Sequence, residues 1–327
     1  VTELLKKAKN AYHREGPTGI VNGGLDLLLS TSTSAYCKKK SIEQNWYIKR
    51  LNEKGLGTPL NRSILTRKKS SNTVFILGSG SSINRISEEE WDVIDNHDSM
   101  GLNRWPIHDF SPTYLVFEIP SLNAGQEIRK QYWELLDMKK RDYEETQLIL
   151  KDVDRFFHTS SVDAVPDWFT TGIMLSPDIE LPPLFGDSRE RFRTVLRYLD
   201  NQNYLTQDGR INQLFKKRGS VSYTLFLATV LGYDRIVLCG VDMVDSKYFW
   251  DERRGQLNEE DIPIPEPNME RNPEEVHKTN DASRQGIPLE QIIYDIDEEL
   301  LRPNGIELYT ETKRSALHPK VPHFEVQ

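Results

Sequence analysis

Five consecutive residues, Thr73-Val74-Phe75-Ile76-Leu77, constrain the fold more than any other stretch of this chain. The run is apolar, rich in β-branched residues, and lacks polar–apolar alternation. Such a run suits a strand covered on both faces, as in a parallel sheet between helical layers. It stops at Gly78-Ser79-Gly80-Ser81-Ser82, which predicts a tight turn into a helix. A second buried strand is expected at Arg235 to Cys239, after an apolar helix over Ser220–Leu231 and a turn at Gly232-Tyr233; it ends in Gly240-Val241-Asp242. Further strands are expected at Asp98–Leu102, Thr113–Phe117 and Gly305–Tyr309, with helices at 124–141 and 288–301. Ser87 and Glu90 have capping-box spacing. Short buried strands alternating with helices predict an α/β fold, a doubly wound, Rossmann-like, mostly parallel sheet. The stretch 142–205, broken by Pro166, Pro177, Pro182 and Pro183, gives no clear pattern.

Residues 1–72 read as a helical, basic N-terminal extension and linker. Leu4, Leu5, Ala8 and Tyr12 fall at helical spacing, and Leu25–Leu29 forms a second apolar patch. Thr31–Ser34 reads as a loop, 41–54 as an amphipathic helix, and 55–72 as a linker. Residues 73–327 make up the main domain. Its polar, Pro-rich, acidic segment near 243–285 reads as a lid.

Net charge is −8, so the whole molecule is no polyanion binder, and no nucleic-acid partner is expected. Lys6, Lys7, Lys9, Lys38, Lys39, Lys40, Arg67, Lys68 and Lys69 nonetheless gather near the start. They read either as a solvated helix face plus linker or as a peripheral contact with an anionic membrane surface. No apolar run approaches the roughly 20 residues of a membrane-spanning helix, and no secretory signal is visible. Cys37 and Cys239 are far apart and read as free thiols, which fits a reducing, cytoplasmic setting. The seven histidines are scattered without metal-ligand spacing, so no metal is expected.

Several residues suit phosphate chemistry. A strand entering Gly78–Ser82 and then a helix offers backbone N–H groups to an anion, although a plain βα turn has the same sequence. Gly219-Ser220-Val221 opens the apolar helix, where Ser220 or Ser222 either caps the helix or binds a ligand. Lys216, Lys217 and Arg218 add positive charge for a phosphate or carboxylate, or form a solvated basic turn. Gly240 and Asp242 stand at the carboxyl edge of a strand, where open α/β sheets bind ligands; Asp242 either faces a ligand or caps a loop. Tyr248, Phe249 and Trp250 form an aromatic group, more often core than site. His277 in its polar segment is either a general base or an idle surface histidine.

In this order, the segments resemble the family-42 bacterial sialyltransferases. Thr73–Ile83 is similar to that family's opening strand and glycine-rich loop, with Ser79 and Ser81 where the family has Asn and Pro. Gly101-Leu102-Asn103-Arg104-Trp105 resembles its next strand end, Ser220–Tyr233 its serine-capped helix, Leu238–Asp242 its following strand, and His277–Asn280 its histidine motif. The resemblance covers about 73–317. It implies a metal-independent, inverting glycosyltransferase with no cofactor, acting on a CMP-activated 2-keto acid sugar, sialic acid-like or Kdo-like. The acceptor would be a glycan or a lipid-linked sugar, reached by a cytoplasmic enzyme at the inner face of the membrane; oligomeric state is left open. His277 would be the base, Tyr248 would assist the leaving phosphate, and Asn103 with the two glycine-rich segments would hold the nucleotide. The pattern is also similar to Kdo transferases and to Mg²⁺- and ATP-dependent pterin-type diphosphokinases. A non-catalytic nucleotide-sugar-binding protein is a further alternative.

Overall fold

The computed structural model describes residues 33–161, 163–181, 188–202, 211–265, 275–277, 279–281 and 286–325. Expectations for Leu4–Tyr12, Leu25–Leu29, Lys6, Lys7, Lys9 and much of the lid lie outside these residues.

The chain is α/β. Its main sheet takes in β1 (Thr58–Pro59), β2 (Thr73–Leu77), β3 (Asp98–Leu102), β4 (Tyr114–Phe117), β5 (Gln147–Leu150), β6 (Ile173–Leu175), β9 (Arg235–Cys239) and β10 (Glu307–Thr310). The order is β1-β6-β5-β4-β3-β2-β9-β10, with every pairing parallel. A separate parallel pair joins β7 (Ile179–Glu180) to β8 (Phe215–Lys216). Every residue of β2, β3 and β4 is buried, as the unbroken apolar run at Thr73–Leu77 predicts.

Alternate strand residues serve opposite cores. Val74 and Ile76 of β2, with Ile236 and Leu238 of β9, belong to one apolar cluster; Phe75, Leu77, Val237 and Cys239 belong to the other. The first cluster is filled by α8 (Ser220–Leu231), α7 (Arg189–Asn201) and α11 (Leu289–Ile296). The second is filled from α3 (Glu88–Asp95), α4 (Gln126–Met138), α5 (Val153–Thr159) and α6 (Asp167–Gly172). The sheet is thus doubly wound, with helices on both faces.

α8 is buried nearly all round, and Gly232 ends it at φ 72°, a left-handed conformation that glycine adopts without steric cost. α3 begins with the expected capping box: Ser87 Oγ accepts from the Glu90 amide, and the Ser87 amide donates to Glu90 Oε2. The helix expected at 41–54 is longer. α1 runs from Thr33 to Glu53 and absorbs Thr33 and Ser34, which were read as loop; Tyr36 and Cys37 are buried on its first turns, so packing overrides the Ser/Thr signal. The stretch read as a linker supplies edge strand β1 and helix α2 (Arg62–Lys68), held by buried Leu60 and Leu65. Part of the basic cluster is engaged within the chain: Lys39 and Lys40 reach Glu43, Lys68 reaches Glu145, and Lys69 lies 4.7 Å from the Tyr233 ring centroid. Both cysteines are buried free thiols. Among the described residues no helix is long and apolar enough to cross a membrane.

Candidate functional site

The strand order reverses direction at β2. Strands β3 to β6 follow on one side, and β9 and β10 lie on the other. Ligands of open α/β sheets bind at such a switch point, outside the carboxyl ends of the strands. Both glycine segments singled out in the sequence leave the sheet there, Gly78 after β2 and Gly240 after β9.

The two loops interlock through backbone. The Gly78 amide donates to Cys239 O at 2.7 Å and the Gly80 amide to Gly240 O at 2.8 Å. A Cβ on Gly78 would stand 2.5 Å from Gly240 O, and one on Gly240 would stand 2.6 Å from Ile83 Cγ1. These glycines therefore serve close approach of one loop to the other. Asp242 completes the joint: its Oδ2 accepts from the Ser82 amide at 2.9 Å, and its carboxyl, buried, is pushed above the usual carboxylate range. Of the two readings of Asp242, the loop-capping contact is present, while its Oδ1 is buried without a hydrogen-bond partner among the described residues.

A cavity of about 1110 Å³ opens over this joint. It exceeds the ~300–1,000 Å³ typical of small-molecule sites. Gly78, Ser79, Gly80, Asn103, Arg218, Gly219, Ser220, Val221, Gly240, Asp242, Tyr248 and His277 all line it. Ser81 and Ser82 are buried outside the lining, and Lys217 is buried away from it, its amide bound to Ser222 Oγ. The Gly78, Gly80 and Ser82 amides are already engaged, so Gly78–Ser82 is less open as an anion cradle than the sequence suggests.

The N-terminus of α8 fills that role better. A short turn joins the end of α8 to the start of β9, so α8 runs antiparallel to the strand and starts at the carboxyl edge of the sheet. Its N-cap is Gly219, and no side chain caps it. Neither serine is the cap. Ser222 Oγ donates back to the Lys217 and Gly219 carbonyls, whereas Ser220 Oγ accepts from Asn103 Nδ2 at 3.0 Å. An uncapped helix N-terminus facing a cavity offers unsatisfied N–H groups and a positive dipole end to an anion.

Asn103 stands at the end of β3 with φ 52°, pinned by its amide to Val116 O and by Tyr132 Oη donating to its carbonyl. Its Oδ1 and the Nη1 of neighbouring Arg104 are buried without a hydrogen-bond partner among the described residues. Burial also lowers the Arg104 pKa, and its guanidinium carbon lies 5.7 Å from the Tyr132 ring centroid. Unsatisfied polar atoms at a cavity wall are groups that a ligand can satisfy.

His277 and Tyr248, 29 residues apart in sequence, meet on the cavity lining. Tyr248 Oη is 3.3 Å from His277 Nε2, and His277 Nδ1 is 2.8 Å from Thr279 Oγ1. Tyr248 stacks on Trp250 at 4.5 Å and bridges Gly80 through its backbone. Phe249 is core, as its residue type suggests; Trp250 is buried too but also lines the cavity, and the tyrosine alone of the three contacts the histidine.

Sequence reading missed a second charged group on the lining: Glu118 directly after β4 and Lys151 directly after β5, with Arg104 and Tyr132 beside Asn103. The available signal was a charged residue immediately following each short apolar strand. β5 and β6 lie in the stretch that gave no pattern, so Lys151 had no strand to be attached to. The chain matches no protein-family model, no curated protein and no solved structure.

Proposed function

We propose that the chain is a glycosyltransferase that moves a 2-keto acid sugar, sialic acid-like or Kdo-like, from a CMP-activated donor to a glycan or lipid-linked acceptor. It would act with inversion and need no metal. The observation that carries this reading is the meeting of His277 and Tyr248 at 3.3 Å over a cavity that also holds the uncapped start of α8.

The donor phosphate would sit at the Gly219–Val221 turn, where the helix end favours negative charge. Asn103 Oδ1 and Arg104 Nη1 would take up nucleotide groups nearby. His277 Nδ1 lies 2.8 Å from Thr279 Oγ1 and 3.4 Å from the Thr279 amide nitrogen; in the tautomer with the proton on Nδ1, Nε2 would carry the lone pair. That nitrogen would remove the proton of an acceptor hydroxyl as it attacks the anomeric carbon. The Tyr248 hydroxyl would donate to the departing phosphate as charge develops there. These two groups hold one another at 3.3 Å, and substrates would enter between them.

CMP release from CMP-sialic acid and CMP-Kdo in the presence of EDTA, with oligosaccharide acceptors, tests the reading. Acceptor-dependent release of CMP supports it. Diphosphate transfer from ATP only with Mg²⁺ would replace it with the pterin-type diphosphokinase. Tight CMP-sugar binding with no turnover on any acceptor would leave a binding protein.

A further inference from the structure

The pair Glu118–Lys151 is expensive to hold where it stands. Lys151 is only 1% exposed, and its Nζ lies 2.5 Å from Glu118 Oε2. Behind it, Lys216 pairs with Asp178 at 2.7 Å, and burial pushes Asp152 up to about 7, helped by Asp154. Taking such charges out of water costs more than their attraction commonly returns, so apolar residues of similar volume would serve folding as well. The pair also lines the cavity that holds Asn103, Ser220 and His277. It occupies equivalent places on adjacent parallel strands, the first residue past β4 and the first past β5; the Lys151 amide donates to Phe117 O.

Two properties select a ligand chemistry. The Glu118 carboxylate is raised by burial but nets out below the usual range because Lys151 lies beside it, so it is ionised and accepts only. Its side chain is 33% exposed, against 1% for Lys151, so the carboxylate is the open member. A carboxylate held ionised by the buried ammonium on one oxygen, with Arg155 Nη1 3.8 Å from the other, still has lone pairs that accept from two neighbouring hydroxyls. That is the complement of two adjacent hydroxyls on a sugar. Distance agrees: Asn103, which bonds Ser220, directly follows β3, and β4 and β5 lie one and two strands from β3, roughly 5–10 Å at the usual inter-strand spacing. This is about the reach from a phosphate at the Gly219–Val221 turn across one sugar ring.

We propose that Glu118 and Lys151 form a vicinal-diol subsite that recognises a sugar ring of the bound nucleotide ligand. The inference rests on the nucleotide-sugar reading above. The diol belongs either to the nucleotide ribose or to the transferred sugar.

Calorimetric affinities for CMP, 2′-deoxy-CMP and CMP-Kdo, whose transferred ring carries two adjacent hydroxyls, separate the cases in wild type, Glu118→Gln and the double variant Glu118→Leu with Lys151→Met. A ribose subsite makes wild type prefer CMP over 2′-deoxy-CMP by about 10- to 100-fold, as for a hydrogen bond to a charged group. Glu118→Gln then binds the two alike. A subsite for the transferred sugar leaves CMP affinity unchanged in Glu118→Gln and removes the advantage of CMP-Kdo over CMP. The double variant leaves no buried charge unpaired, so it is expected to keep its melting temperature while showing the same loss. Wild-type affinities retained for all three ligands in either folded variant overturn the subsite and leave the nucleotide reading standing. Absence of binding by wild type to all three overturns both.

Discussion

At the residue scale the site depends on a few close contacts. His277 and Tyr248 face each other at 3.3 Å, and a general base in the role proposed for His277 contributes about 10²- to 10⁴-fold. His277→Ala is therefore expected to lower kcat by roughly that factor while CMP affinity, read by calorimetry, changes little. Near wild-type turnover would remove His277 from the mechanism. Gly80 is a position where the chain has no room: a Cβ there would stand next to Asp242 Oδ2 and 2.8 Å from Gly240 O. Gly80→Ala is expected to cost about 1–3 kcal/mol in chemical denaturation, because it forces apart the joint between the two loops. Its sequence context, a strand running into Gly-Ser-Gly, already marked the turn. What the sequence concealed is that Gly78 and Gly240 make room for each other, 162 residues apart, rather than for a phosphate alone.

At the element scale α8 does two things. It fills one core with residues such as Phe226 and Leu227, both fully buried, and presents its uncapped start to the cavity. These roles separate by substitution. Phe226→Ala removes a buried ring and is expected to cost about 3–5 kcal/mol in denaturant unfolding, with little direct effect on ligand contacts. Ser220→Asp places a negative charge at the first helical residue, where the dipole favours it by about 0.3–1 kcal/mol. The free protein should melt slightly higher while CMP affinity falls at least tenfold, since the carboxylate takes the place of the phosphate. Unchanged CMP affinity would put the phosphate elsewhere. This helix was legible in the sequence because it is long, apolar and closed by Gly232. By contrast β5 and β6 have only four and three residues and lie among prolines and charges, where periodicity has too few positions to register.

At the scale of the whole molecule, stability responds to pH through buried carboxyls beside the sheet switch. Burial pushes the Glu311 carboxyl up to about 8, with Asp242 and Glu90 adding to the shift. The folded state then keeps a proton that the unfolded chain releases near the ordinary value of 4.5. Stability from this group is complete below that range and falls as pH rises toward 8. Glu311→Gln should therefore flatten the profile, melting on the order of 5 °C above wild type at pH 8 and about level with it at pH 5, by calorimetry. CMP at 100 times its dissociation constant should add about 2.7 kcal/mol of stability with or without Mg²⁺. A shift seen only with ATP and Mg²⁺ would favour the diphosphokinase. The sequence by itself determined the fold class, the strands at 73–77, 98–102 and 235–239, and the order of the segments around the cavity. It could do so because buried strands and glycine turns are local patterns, set by which side chains a covered backbone tolerates. Only the tertiary structure decided that His277 meets Tyr248, that Asp242 is held by the Ser82 amide, that Lys217 turns inward, and that Glu118 and Lys151 share the cavity. Apart from Lys217, those contacts join residues 29 to 160 positions apart, and the sheet order that brings them together is a property of packing between elements, with no trace in the spacing of any one of them.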